Sequence, residues 1–150
     1  MLIRNSFVKD IDQIIKIGSE TDLSIWTTDD YKNEFIRSDA VCFTALDDDI
    51  VAGFLHGRFG ISAASGKNIF ELHNIAVKKQ FWNKGFGSAL LTELIAECCK
   101  YDTLSIILNV RISNDQAIAF YKKYAFTEVS RVKDLYSNPA EDGFLMSCRL

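Results

Sequence analysis

The stretch from Ile69 to Val110 constrains this chain more than any other part of it. Two apolar runs, Ile69 to Val77 and Thr103 to Val110, are separated by a glycine-bearing turn and a helical pattern from about Gly85 to Lys100. Within that pattern Leu90, Leu91, Leu94, Ile95 and Cys98 recur at i, i+1, i+4, i+5 and i+8, a spacing that lines one face of a helix. The second run is apolar enough for a strand covered on both faces. Strand, helix, strand in this order implies a parallel pair joined by a right-handed crossover, because a right-twisted strand feeding a right-handed helix packs back onto its sheet only that way.

The turn inside this unit reads Val77-Lys78-Lys79-Gln80-Phe81-Trp82-Asn83-Lys84-Gly85-Phe86-Gly87. Neither glycine has a Cβ, so the backbone can approach a bulky anion. The first N–H groups of a helix have no intrahelical partner and sit at the positive end of the macrodipole, which suits a diphosphate. Lys78, Lys79 and Lys84 add positive charge. From the spacing alone, a phosphate cradle and a plain strand-to-helix turn both remain open. Two other phosphate motifs are excluded. Gly60 to Asn68 has five residues between its glycines where a nucleotide P-loop needs four, and a dinucleotide fingerprint would need glycine where Leu90 stands.

The rest of the chain alternates strands and helices. Leu2 to Phe7 reads as a first strand, followed by a helix with Asp10 and Gln13 as a capping pair and Ile11, Ile14, Ile15 and Gly18 on one side. Thr28 is placed to cap a second helix through Arg37. Val41 to Leu46 and Ile50 to Phe59 flank Asp47-Asp48-Asp49 as a hairpin, and Gly60 to Gly66 forms the next loop. Ser113 and Gln116 form a capping box for a helix presenting Ala117, Ile118, Tyr121 and Tyr124 on one face. Phe126 to Val132 and Gly143 to Leu150 close the chain as strands.

At 150 residues one domain, 1–150, and one core are expected. A net charge of −3 argues against a nucleic-acid footprint and suits a cationic or amine substrate. No apolar stretch is long enough for a signal peptide or membrane span, so a cytoplasmic location is expected. Cys42, Cys98, Cys99 and Cys148 lack C-x-x-C spacing, and His56 and His73 are the only imidazoles; buried free thiols and no metal are therefore expected. Cys98 and Cys99 fall on a helix away from the cradle, which gives a cysteine nucleophile no support.

A second motif makes the reading specific. Val110-Arg111-Ile112-Ser113-Asn114, followed by Ala117-Ile118, Tyr121 and Phe126, stands at a fixed interval after Asn74-Ile75-Ala76-Val77 and the Gly85-x-Gly87 turn. Together these motifs resemble the GNAT superfamily of acetyl-CoA-dependent N-acetyltransferases, and within it the ribosomal-protein-alanine and protein N-terminal acetyltransferases. The likeness is close over about residues 69–150 and extends to the first 60 only in element order. It implies an α/β (α+β) fold with a mixed, mostly antiparallel sheet of about six or seven strands, helices on both faces, and a splayed parallel pair through which the pantetheine arm enters.

The resemblance also implies roles. Backbone groups around Ile75, Ala76 and Val77 would pair with pantetheine amides like an added strand. Backbone N–H groups of Asn83, Lys84, Gly85, Phe86, Gly87 and Ser88 would hold the pyrophosphate, with Trp82 at the head of the turn. Asn114 would contact the pantetheine arm. Tyr121 would protonate the departing thiolate. Two positions depart from the pattern: Trp82 stands where the family carries Gln or Arg, and Asn109 stands where the alanine acetyltransferases carry a proposed glutamate base. Asparagine cannot accept a proton, so the base is expected at Glu71, with His73 two residues on and on the same face by strand alternation. A carboxylate in that role gains from burial. Asp22, Asp29, Asp30, Glu141 and Asp142 fall in segments that line the acceptor side of this family. The expected partners are acetyl-CoA as co-substrate and an amine acceptor, which could be a protein N-terminus, a lysine or a small amine; a CoA-binding module without catalysis is the other class. The chain is expected to be a monomer or homodimer.

Overall fold

Ile50 to Ile61 is so rich in apolar residues that it forms β3, a central strand buried on both faces for most of its length. In this computed structural model, which describes every residue except Asp22, Ser24 and Ile25, β3 lies within a seven-stranded sheet of order β1-β2-β3-β4-β5-β7-β6. The remaining strands are β1 (Leu2–Asn5), β2 (Ala40–Asp47), β4 (Asn68–Val77), β5 (Ser105–Arg111), β6 (Thr127–Tyr136) and β7 (Glu141–Arg149). Every neighbouring pair is antiparallel except β4 and β5, the parallel pair expected from the sequence. Its ladder covers only Ile69↔Ser105, Phe70↔Ile106 and Glu71↔Ile107, after which the two strands diverge.

Four helices cover the sheet: α1 (Ile11–Glu20), α2 (Thr28–Phe35), α3 (Phe86–Lys100) and α4 (Asp115–Lys123). Leu90, Leu91, Leu94 and Cys98 of α3 pack with Ile118 and Tyr121 of α4 against Phe70, Leu72, Ile106, Leu108 and Met146. On the opposite face Ile11, Ile14 and Ile17 of α1 and Tyr31 of α2 pack against Val51, Phe54 and Ala76.

Helix starts differ from the sequence expectation wherever a neighbour competes for the capping side chain. Asp10 and Gln13 do not form a box. The Asp10 carboxylate accepts the Phe7 N–H and a bidentate pair from Arg4 at 2.7 and 2.9 Å, while the Gln13 Oε1 accepts Val51 N–H across the sheet. Thr27, not Thr28, caps α2: its hydroxyl accepts Asp30 N–H and the Asp30 carboxylate accepts Thr27 N–H. That helix ends at Phe35, short of Arg37. Asn114, not Ser113, caps α4, its Oδ1 accepting Ala117 N–H at 3.2 Å. The hairpin turn is Asp48-Asp49, with Asp48 at φ 51°; β2 runs one residue further at each end than predicted, and β3 starts at Ile50 as predicted but continues two residues further, to Ile61. β6 continues to Tyr136, beyond the expected Val132.

A β-bulge in β4 positions the site. His56 pairs with Asn74 but Gly57 pairs with Leu72, so His73 is an extra residue without a partner on β3. Before the bulge Phe70 and Leu72 face α3; after it Ala76 faces α1 and α2, while Ile75 and Val77 turn toward α3. One inserted residue thus inverts the alternation, as a bulge must. Gly57 stands opposite, and any Cβ there would collide with the Glu71 carbonyl oxygen and the Phe70 ring.

Candidate active site

The opening between β4 and β5 begins one residue past Glu71 and Ile107. On β5, Leu108 and Val110 point into the core beneath α3, so Asn109 between them is exposed on the other face. Glu71 and His73 share that face: His73 Nε2 stands 3.8 Å from a Glu71 oxygen. The bulge adds Asn74 to the same side, where its amide contacts His56 Nε2 at 2.8 Å. The structure therefore brings three of the four residues expected to serve catalysis, Glu71, His73 and Asn109, to one face beside the opening. The burial expected for a Glu71 base is not supplied by the protein, because half of its side chain is exposed, at 52%.

Tyr121, the fourth, lies on the opposite side of the sheet, packed against Phe120 and Phe126. Burial, and next the nearby Tyr136, push its phenol well above the ordinary tyrosine value. A phenol in that state keeps its proton at neutral pH.

The turn from β4 into α3 has the character of an anion cradle. Gly85 is the N-cap of α3 at φ 88°, a left-handed conformation that favours glycine, and no side chain among the described residues caps this helix. The α-helical ladder begins with Ala89 N–H donating to the Gly85 carbonyl, so the N–H groups of Phe86, Gly87 and Ser88 precede it. Asn83 also has positive φ, at 59°. Gly87 is unstrained, and a Cβ there would make ordinary contact with Phe120 and Val77, so the conformational need for glycine falls on Gly85. The Phe86 side chain is buried against Phe81, leaving only its backbone for a ligand. Trp82 donates its indole N–H to the Val77 carbonyl at 2.6 Å, which fixes the turn and takes one of the strand groups expected to face pantetheine. Asn114 spends its Oδ1 on the α4 cap.

The acidic residues expected on the acceptor side are mostly engaged. Glu141 accepts from Arg111 and from Ser113 N–H, Asp142 from Arg131 and Asp134 N–H, and Asp30 from Thr27 N–H. Asp29 is exposed, and Asp22 lies outside the described residues.

Two features went unread in the sequence. Arg111, quoted there only as part of a motif, ties β5 to the β6–β7 connection: it donates to the carbonyls of Pro139 and Ser137 and lies over the Tyr136 ring at 4.5 Å. His56 is buried on β3 under Trp26, with its ring 5.8 Å from that of His73. Burial, and next the neighbouring His73, push its imidazole down to about 4. An ionisable residue in the apolar run Phe54-Leu55-His56 was the signal for it.

A parallel pair that opens beside a helix start with a left-handed glycine and backbone N–H groups ahead of the intrahelical ladder is a shape that suits a long carrier ending in phosphate. The profile described as the Acetyltransferase (GNAT) family matches residues 8–126, and the chain belongs to that family. It is an N-acetyltransferase, and its family takes the acetyl group from acetyl-CoA. The chain is 32% identical over 155 residues to an N-alpha-acetyltransferase of Sulfurisphaera tokodaii, covering 99% of this chain and 92% of the relative. It is 27% identical over 144 residues to a putative ribosomal protein bS18-alanine N-acetyltransferase of Bacillus subtilis, covering 96% and 92%. Its fold matches Arabidopsis thaliana NAA60 in complex with acetyl-CoA at a TM-score of 0.90 and 17% identity, covering 99% of this chain and 98% of the other.

Proposed function

We propose that the acceptor is the α-amine of a protein N-terminus, acetylated by direct attack on the thioester with both substrates bound. The observation that carries this reading is likeness along nearly the whole chain, 96% and 99%, to proteins named for N-terminal and ribosomal-protein-alanine acetylation. The amine nitrogen forms a bond to the thioester carbonyl carbon, the carbon–sulfur bond breaks, and the sulfur takes the Tyr121 proton. The ammonium proton leaves through water to Glu71, which His73 flanks. The bare N–H groups at the start of α3 and the left-handed Gly85 fit the diphosphate of CoA, and Ile75 and the Val77 N–H, whose carbonyl Trp82 occupies, fit its pantetheine arm at the open strand edge. Four free cysteines suit a cytoplasmic enzyme.

The test is turnover with a panel of N-terminal peptides, lysine peptides and small amines. Peptides with a free α-amine should be acetylated well above the rest; preference for lysine or small amines overturns the acceptor assignment. A chain that binds acetyl-CoA yet acetylates nothing is the non-catalytic module that Asn109 would favour. Binding itself is read from a thermal melt: acetyl-CoA at 100 times its dissociation constant should add about 2.7 kcal/mol, and NADH or ATP much less. Gly87→Glu, which places a carboxylate at the cradle, should abolish that shift. For the base, Glu71→Gln should erase the acidic limb of kcat/KM against pH while His73→Phe leaves it. The opposite result exchanges their roles, and no effect from either leaves the proton to Asn109 and water.

A further inference from the structure

The pairing of β3 with β4 brings the chain's two histidines together over α2, and Glu34 of α2 joins them. One donor atom from each of Glu34, His56 and His73 lies within 4.8 Å of the other two. His56 is 1% exposed, and its Nδ1 is buried with no hydrogen-bond partner among the described residues. A buried polar atom left unpaired costs free energy, about 1–3 kcal/mol, so such groups as a rule find a partner. The Glu34 carboxylate is held by Arg58 at 2.8 and 2.5 Å, but each oxygen keeps a further lone pair. His73 is partly exposed, which gives a path of entry and room for water as a fourth ligand.

From this we propose that Glu34, His56 and His73 form a binding site for a divalent transition metal of the zinc type. Two imidazoles and one carboxylate are a zinc donor set, and three protein ligands with one open position are its usual arrangement when the site faces solvent. Ligand atoms about 2.1 Å from a tetrahedral ion stand about 3.4 Å apart, so the three donors close by about 1.5 Å at most on binding. Asn74 stands against the other His56 nitrogen at 2.8 Å, and with its amide turned so that Oδ1 accepts the Nε2–H it supplies the outer partner that orients a metal-bound imidazole. Arg58 is bonded to the cluster through Glu34, which it would share with the metal.

The experiment titrates the chelator-stripped full chain with Co2+ and then Zn2+, without acetyl-CoA or acceptor, so its result is independent of the proposed acceptor. Expected are one Co2+ per chain with the intense visible absorption of a low-coordinate nitrogen and oxygen site, and displacement by Zn2+. His73→Ala and His56→Gln should each weaken binding by about 100-fold or more, beyond the usual cost of losing an outer partner. His73 stands on an unpaired bulge position and is partly exposed, so His73→Ala decides the matter if His56→Gln fails to fold. Absence of that absorption, or Co2+ affinity unchanged in His73→Ala, overturns the proposal.

Discussion

The two faces of β4 are built from different materials. Toward α3 and α4 the sheet packs Phe70, Leu72, Leu90, Leu91, Leu94, Ile106, Leu108 and Met146, an apolar interior with hardly a charge. Toward α1 and α2 the core is smaller and is ringed by Asp10 with Arg4, Glu34 with Arg58, and His56 with Asn74. Dispersion and the hydrophobic effect are insensitive to pH and tolerate no gaps; buried ion pairs are directional and depend on proton occupancy. The face that holds the fold together is thus separate from the one that carries titratable chemistry, and the bulge at His73 is where the chain passes from one regime to the other. Tyr121 crosses the division, being packed in the apolar face yet assigned chemistry.

The largest expected effect tests that exception. Tyr121→Phe keeps the ring and removes only the hydroxyl, so kcat should fall about 10²–10⁴-fold while acetyl-CoA affinity and melting temperature hold. Full turnover in steady-state assays would return Tyr121 to the packing of its face. Next, Leu91→Ala opens a cavity beneath α3 at a fully buried position. Urea unfolding should show a loss of about 2–5 kcal/mol that is the same at pH 7 and pH 4.

Asp10→Asn is the counterpart on the polar face. Burial by itself would raise the Asp10 carboxyl, but the hydrogen bonds and charge of Arg4 with the Phe7 N–H outweigh it and hold the group below its ordinary 3.8. A carboxyl depressed in the folded state contributes stability above its unfolded value and loses it as pH falls through the folded one. The variant should cost about 2 kcal/mol at pH 7, and wild type and variant should converge as pH falls through the folded value, which lies below 3.8. A cost that persists unchanged at low pH would assign the residue to packing. The smallest effect separates the two candidate caps of α4: Asn114→Ala should lose about 1 kcal/mol and Ser113→Ala only a few tenths. If Asn114 also touches pantetheine, its variant weakens acetyl-CoA binding by more than the loss of stability explains.

Much of this was legible in residue order. Periodicity in Leu90, Leu91, Leu94 and Cys98 marks α3, the flanking apolar runs mark a parallel pair, and Gly85 with Gly87 marks the turn. Each depends on neighbours a few positions apart, where local propensity and pattern suffice. Caps were harder. Asp10, Thr28 and Ser113 all had the right chemistry, but Arg4, Thr27 and Glu141 compete for the same groups or serve better, and a competition between partners distant in sequence has no local signature.

Tertiary structure alone decided the rest. The extra residue at His73 exists only relative to β3, since a bulge is a mismatch between two strands and neither contains it alone. It sets which of Glu71, His73 and Asn74 share a face. The meeting of His56 and His73, seventeen positions apart, likewise follows from sheet register, as does the engagement of Glu141 and Asp142 that removes them as free acceptor charges. Sequence by itself determined the elements and the class of chemistry, because these rest on residue type and short-range period. Which side chains stand together, and in what state of charge, was fixed only when distant strands came into register and water was excluded between them.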